Sequence, residues 1–325
     1  MRAVVVTSPQ GPDGLVVEDV PPPEPGPGEV LVRVRAAGIN RADLLQREGG
    51  YPPPAGVTDR LGLEVSGVVV AVGPGVEDWV EGDRVCALAD GGGYAELVVV
   101  PAGQVLQVPD GVDLLDAAAL PEAVCTAWSN LVTVGGLAAG SSVLVHGGSG
   151  GVGVVAIQLA AALGAQVLTT AGGAARAERC LELGAAVAID HRREDVLTRV
   201  LEATDGKGVD IVLDILGAGA LDTNLRALAT GGRLVVIGLQ QGRRGEIDLG
   251  LLLGRRASVI GTTLRARPPE EKAAIVDAVR DAVWPMVADG RVRTVVHARL
   301  PLSEAAAGHE LLASGEAFGK VLLVP

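Results

Sequence analysis

A glycine run between two apolar segments limits this chain more than any other feature. Val143-Leu144-Val145 leads into His146-Gly147-Gly148-Ser149-Gly150-Gly151-Val152-Gly153, and a second apolar run continues from Val152 through Leu163 to stop at Gly164. Strand, glycine turn and helix in that order predict a nucleotide-phosphate turn. Glycine lets backbone close on a pyrophosphate, and a helix N-terminus offers free N–H groups and a partial positive charge. Gly147, Gly148, Ser149, Gly150, Gly151, Val152 and Gly153 are therefore candidate cofactor contacts. Glycine is abundant here, 46 of 325 residues, so the flanks of the run carry the inference rather than the run itself.

The chain changes character near residue 122. Before it, short β-rich runs (Ala3 to Val6, Val30 to Val34, Val65 to Val72, Arg84 to Leu88, Ala95 to Val100) alternate with clusters such as Pro52-Pro53-Pro54 and Gly91-Gly92-Gly93. Many short strands with Gly/Pro punctuation predict a small barrel or sandwich. After it, strands at Val143 to Val145, Gln166 to Thr170, Val187 to Ile189, Ile211 to Leu213 and Leu234 to Ile237 alternate with helical segments, including Val152 to Leu163 and Ala174 to Leu183. That alternation predicts an α/β fold with a doubly wound parallel sheet. Ser258 to Leu264 reads as a further strand at an edge, Glu270 to Val287 as a helix interrupted at Trp284-Pro285, and Lys320 to Val324 as a closing strand.

Bulk properties exclude several classes. The formal net charge of −12 argues against broad nucleic-acid binding. No apolar run reaches the roughly 18 residues of a membrane span. Met1 to Val6 reads as a strand and not as the apolar core of a signal peptide. Cys86, Cys125 and Cys180 are too far apart for a disulfide framework or a CxxC zinc site, so a reducing cytoplasm is the expected compartment.

The end of the strand after the glycine run speaks to the cofactor. In NAD-binding folds an acidic residue about 20 residues beyond the glycines bonds the ribose hydroxyls. This chain has Thr169-Thr170-Ala171-Gly172-Gly173 there, with Arg176 following. A missing acid leaves room for a 2′-phosphate, which a guanidinium binds bidentately. NADPH is thus expected over NADH, with Gly172, Gly173 and Arg176 as contacts. His191-Arg192-Arg193 either adds charge to the same phosphate or forms an ordinary charged loop.

Further motifs resemble a known family. Pro25-Gly26-Pro27-Gly28-Glu29-Val30, Ala37-Gly38-Ile39-Asn40-Arg41-Ala42-Asp43, Gly62-Leu63-Glu64, Gly82-Asp83-Arg84-Val85, the glycine run and Phe318-Gly319-Lys320-Val321 occur in the order seen in medium-chain dehydrogenases/reductases. Asn40-Arg41-Ala42-Asp43-Leu44, Tyr51-Pro52-Pro53-Pro54, Gly91-Gly92-Gly93 and Pro121-Glu122-Ala123 narrow the similarity to zinc-independent quinone oxidoreductases, especially the p53-inducible branch. The resemblance implies a GroES-like, β-rich substrate domain (residues 1–122 and 268–325) and a Rossmann NADPH-binding domain (123–267), with the cofactor in the cleft between. It implies a homodimer joined through an edge strand such as Ser258 to Leu264.

By the same positional matching, Thr126, Gly238, Leu239, Phe318, Gly319 and Lys320 are expected to contact the cofactor, and His191 stands at an adenine-side position. Zinc members carry a Cys where this chain has Asn40 and a His where it has Leu63, so no catalytic metal is expected. Tyr51 and Asn40 are the catalytic candidates: Tyr51 lines an acceptor pocket or caps its proline turn, and Asn40 hydrogen-bonds a ligand or serves a local turn. His146 is expected to orient the glycine loop. The implied activity is hydride transfer from NADPH to a quinone. Alternatives are reduction of an activated C=C bond by the same enzyme type, and a non-catalytic NADPH sensor.

Overall fold

The computed structural model describes residues 1–8 and 11–325 and divides into two compact units, Met1–Cys125 with Leu264–Pro325, and Thr126–Thr263.

The second unit is built on a six-stranded sheet whose paired strands all run parallel. Its spatial order is Val187–Asp190, Gln166–Ala171, Ser142–Val145, Val209–Asp214, Leu228–Val236, Ser258–Gly261. Numbered by sequence within this sheet, the order is 3-2-1-4-5-6, that of a doubly wound dinucleotide-binding fold. The strand order reverses between Ser142–Val145 and Val209–Asp214, and such folds bind ligands beyond the strand ends at that point. Leu144, Leu168, Ile189, Val212 and Leu234 are fully buried. Strands covered on both faces read as nearly unbroken apolar runs, which is why this part of the sheet was legible. The helix Gly151–Ala162 is buried along Gly153 to Ala160 and is apolar there except for Gln158, whose amide donates to the Val154 carbonyl at 2.9 Å. The expected edge strand is shorter than its apolar pattern, Ser258–Gly261 and not Ser258 to Leu264, although it does lie at the sheet edge.

The first unit holds a seven-stranded sheet and the two-stranded pair Arg2–Val6 with Leu15–Asp19. Strand Glu29–Gly38 is central: it pairs antiparallel with Glu64–Val72, Leu97–Pro101 and Lys320–Val324. Its core gathers Val30, Val32, Val34, Val65, Val85, Val100, Tyr94, Val321 and Leu323. Burial of each such aliphatic side chain contributes about 1.5–3 kcal/mol. The helical run near residue 270 divides into Pro269–Ala282 and Trp284–Ala288, because Pro285 has no N–H to continue the ladder. Two elements have weaker sequence signals, the helix Arg41–Arg47 and the strand Val296–Pro301.

Candidate functional site

Within the second unit the glycine turn is a backbone cradle. Gly147 has φ +70°, and a Cβ there would lie 2.4 Å from Ile215 Cδ1. A Cβ on Gly148 would lie 2.1 Å from Thr169 Oγ1, and one on Gly153 would lie 2.2 Å from the Gly147 carbonyl oxygen. Gly153 meets backbone, so turn and helix approach at backbone distance there, while Gly147 is held by its positive φ and Gly148 packs against the Thr169 and Ile157 side chains. Gly150 caps the helix without a side chain, and the first turn carries no acid. The unpaired N–H groups of that turn, with Ser149, Gly151 and Val152 beside them, suit an anion.

His146 lies beneath the loop, 3% exposed. Its Nε2 faces Asn224 Oδ1 at 2.7 Å and its Nδ1 faces Thr170 Oγ1 at 3.1 Å. With the proton on Nε2, the ring donates to Asn224 and accepts from Thr170, whose oxygen in turn accepts the Gly147 N–H at 3.2 Å. Burial pushes the imidazole pKa below its ordinary value, so the ring is held neutral as a strut for the loop.

At the end of strand Gln166–Ala171 three basic groups converge on one glycine. A Cβ on Gly172 would stand 3.2 Å from Arg192 Nε, 3.2 Å from His191 Nε2 and 3.3 Å from Arg176 Nη2. Asp190, the acid nearest this corner in sequence, accepts the Gly173 N–H at 2.8 Å and the Arg192 N–H at 3.1 Å. Those backbone bonds, Gly173 first, hold its carboxyl below the usual range. It shapes the turn that presents His191 and Arg192. Arg192 joins Arg176 and His191 here, the arrangement in which His191-Arg192-Arg193 adds charge to the same corner.

Thr126 is 7% exposed, and its carbonyl accepts from Asn130 Nδ2 at 2.8 Å. The Thr262 hydroxyl bonds Asn130 Oδ1, and the Thr262 N–H reaches the Val236 carbonyl at 3.2 Å. Thr126 is thereby linked to the strand end that precedes Gly238 and Leu239. A Cβ on Gly238 would lie 2.8 Å from the Ile215 carbonyl oxygen, and Leu239 is 54% exposed.

The catalytic candidates sit in the first unit. Asn40 caps the helix Arg41–Arg47, and its own N–H is accepted by Asp43 Oδ2 at 2.7 Å. The other Asp43 oxygen accepts the Gly62 N–H at 3.0 Å, fixing the Gly62-Leu63-Glu64 turn against the cap. The Asn40 amide donates from Nδ2 to Glu64 Oε1 at 2.9 Å, and Lys320 Nζ donates to Asn40 Oδ1 at 2.6 Å. Lys320 also ion-pairs with Glu64, whose other oxygen accepts the Glu122 N–H at 3.0 Å. A Cβ on Gly38 would overlap that carboxylate at 2.2 Å, which explains the glycine of Gly38-Ile39-Asn40.

The Lys320 amine is neutralised by Glu64 beside Asn40. Phe318 is 3% exposed, and Gly319 takes φ +90° because a Cβ there would lie 2.1 Å from the Val295 carbonyl oxygen. Among the described residues no group of three or more His, Cys, Asp or Glu forms a metal donor set. An ammonium beside Asn40, with buried Leu63 at the other ligand position, is a poor setting for a divalent cation.

Asp43 continues into a buried relay that the sequence did not disclose. Arg47 Nη1 donates to His309 Nδ1 at 3.2 Å, which leaves the proton on Nε2, 3.2 Å from the Tyr94 hydroxyl. Tyr94 bonds Asp43 in turn. Burial drives His309 down to about 3 and Asp43 up to about 6. Tyr51 lies half-buried with the Arg265 guanidinium carbon 5.7 Å from its ring centroid. Arg265 is fixed by the Asp90 carbonyl and Gln46 Oε1, both at 2.7 Å, while buried Lys272 holds the Asp90 carboxylate at 2.5 Å.

Comparison with known proteins agrees with this arrangement. Residues 26–110 match the model described as alcohol dehydrogenase GroES-like domain, and residues 151–280 the model described as zinc-binding dehydrogenase. The chain is 37% identical over 317 residues to a quinone oxidoreductase of Pseudomonas aeruginosa, covering 97% of each. The Escherichia coli quinone oxidoreductase complexed with NADPH superposes with a TM-score of 0.89 at 30% identity, covering 100% of this chain and 99% of that one. A segment amounting to 14% of the phthioceranic/hydroxyphthioceranic acid synthase of Mycobacterium tuberculosis is 36% identical over 304 residues, 92% of this chain.

Proposed function

The chain belongs to the zinc-independent quinone oxidoreductases of the medium-chain dehydrogenase/reductase superfamily, and from that premise we propose that this oxidoreductase transfers hydride from NADPH to a quinone. The observation that carries the cofactor choice is the convergence of Arg176, His191 and Arg192 on Gly172. A 2′-phosphate suits that corner, whereas the ribose hydroxyls of NADH call for an acid there. Gly147, Gly148, Ser149, Gly150, Gly151, Val152 and Gly153 would hold the pyrophosphate. Gly172, Gly173, Arg176 and His191 would hold the adenosine end, and Thr126, Gly238 and Leu239 the nicotinamide end. When bound, NADPH supplies a hydride, which is two electrons and a proton. Net reduction to the hydroquinone needs one further proton, taken from solvent.

Asn40 contributes an amide donor toward the acceptor oxygen, where negative charge grows as hydride arrives. Tyr51, with Arg265 behind it, forms a wall of the acceptor pocket. A quinone is already electron-poor, so donors of this strength suffice. A second reading is reduction of an activated C=C bond, because a conjugated enone also places charge on a carbonyl oxygen that the Asn40 amide could meet. Purified protein assayed with NADPH against an ortho-quinone, a para-quinone and a conjugated enone separates the readings. Quinone turnover is expected; turnover of the enone alone reverses the order. A non-catalytic NADPH sensor would show tight NADPH binding and no oxidation with any acceptor.

We assign the partner at the strand Ser258–Gly261 to a second copy of the chain. This edge lies in the unit that also exposes Leu249 at 60%, Leu253 at 78% and Val259 at 40%. Light scattering should give the dimer mass, and Leu253→Glu should lower it.

A further inference from the structure

The Asn40 amide is oriented by its neighbours. Lysine ammonium is donor only, so the atom 2.6 Å from Lys320 Nζ is the amide oxygen and Nδ2 points away from it. Of the two Nδ2 hydrogens, one goes to Glu64 Oε1 at 2.9 Å; the other has only a long contact to the Gly38 carbonyl at 3.4 Å. Glu64 is fully buried and Lys320 is 3% exposed, so the pair is neutral as a unit and shielded from water. Lys320 has little freedom: its own N–H bonds the Val295 carbonyl at 2.8 Å, next to Gly319, which no side chain can replace. A charged donor on an amide oxygen draws density from it and strengthens the opposite N–H as a donor.

We propose that Lys320 is a positioning residue for acceptor reduction: its ammonium, held by Glu64, locks and polarises the Asn40 amide so that the second Nδ2–H meets the acceptor's carbonyl oxygen. This rests on the reading of the chain as an NADPH-dependent quinone reductase. It assigns Lys320 to the acceptor side and makes Glu64 its anchor. The acceptors selected are those with a carbonyl oxygen that gains charge on reduction.

The test separates orientation from charge balance. Lys320→Met alone strands a buried carboxylate, so the informative variant is Glu64→Gln combined with Lys320→Met, compared with Glu64→Gln alone. The double variant should regain near-wild-type Tm and an unchanged NADPH Kd. Its kcat with a para-quinone should stay at least tenfold below that of Glu64→Gln, the fall appearing in kcat more than in KM. Equal kcat in the two variants overturns the proposal, because Lys320 would then only neutralise Glu64. No quinone reduction by the wild-type protein overturns the functional reading and this proposal together, whereas normal wild-type turnover with equal variants overturns the proposal alone.

Should the double variant not fold, the wild-type protein decides by NMR. Asn40, Asn130 and Asn224 are its asparagines, so selective 15N-asparagine labelling gives three side-chain amide pairs. In protein saturated with NADP+, adding duroquinone should shift one Asn40 Nδ2 proton well beyond its partner. Absence of any Asn40 shift at saturating duroquinone overturns the proposal.

Discussion

The glycine turn of the second unit and the Asn40 cluster of the first solve opposite problems. The turn is made of backbone: Gly147, Gly148 and Gly153 act by lacking side chains, and its parts lie within a few residues of each other. The cluster is made of side chains, with Asn40 meeting Glu64 across 24 residues and Lys320 across 280. The first region is limited first by volume. The second is limited first by charge, since a buried ion pair left with one partner is costly.

Five substitutions probe that contrast, in descending order of effect. Lys320→Met alone should lower stability by about 3–5 kcal/mol in chemical denaturation, because Glu64 keeps a buried charge without its counter-ion. Full stability in that variant would mean that the carboxylate finds another partner. Gly153→Val adds a Cβ at 2.2 Å from a carbonyl oxygen that cannot move freely. Fluorescence titration should show its NADPH Kd rising on the order of 100-fold, about 2.7 kcal/mol. Removing one charged contact, in Arg176→Ala or Arg192→Ala, should weaken NADPH by about 1.5–3 kcal/mol while leaving NADH affinity unchanged. Equal losses for both cofactors would place neither guanidinium at the 2′-phosphate.

The smallest effect is a pH slope. His309 titrates near 6.5 when unfolded and about 3 when folded, so the unfolded chain binds the extra proton and stability drains as pH falls below 6.5. Asp43 has the opposite slope: its folded value of about 6 exceeds the ordinary 3.8, so its contribution is lost as pH rises through 6. His309→Gln removes the first slope only. Its stability deficit relative to wild type should shrink below pH 6.5, by up to about 1.4 kcal/mol per pH unit. A deficit independent of pH would show that His309 is protonated in the fold.

The same contrast explains what the sequence discloses. The parallel strands are legible because each is buried on both faces, and the glycine turn because strand, turn and helix are contiguous. Helix Arg41–Arg47 is seven residues long and mostly charged or polar, which leaves little periodicity to read. Strand Val296–Pro301 alternates between half-buried and exposed positions at a sheet edge, so its apolar signal is thin. The apolar tract from Ser258 reads past Gly261 because hydrophobicity does not mark where strand pairing ends. Asn40 and Tyr51 are visible through motif order, but their partners Lys320 and Arg265 arrive from distant segments. Motif order places Phe318-Gly319-Lys320 near a site without saying which atom the amine meets. Arg192 is similar: its role depends on how Asp190 turns the backbone, which only the folded corner shows.

In the proposed reaction the basic corner selects NADPH and the Asn40 amide serves a quinone. The most direct measurement is kcat/KM for NADPH and for NADH with the same saturating para-quinone. Quinone-dependent oxidation with NADPH preferred by at least tenfold, about 1.4 kcal/mol, is expected. A preference for NADH, or no quinone-dependent oxidation of either cofactor, would contradict it.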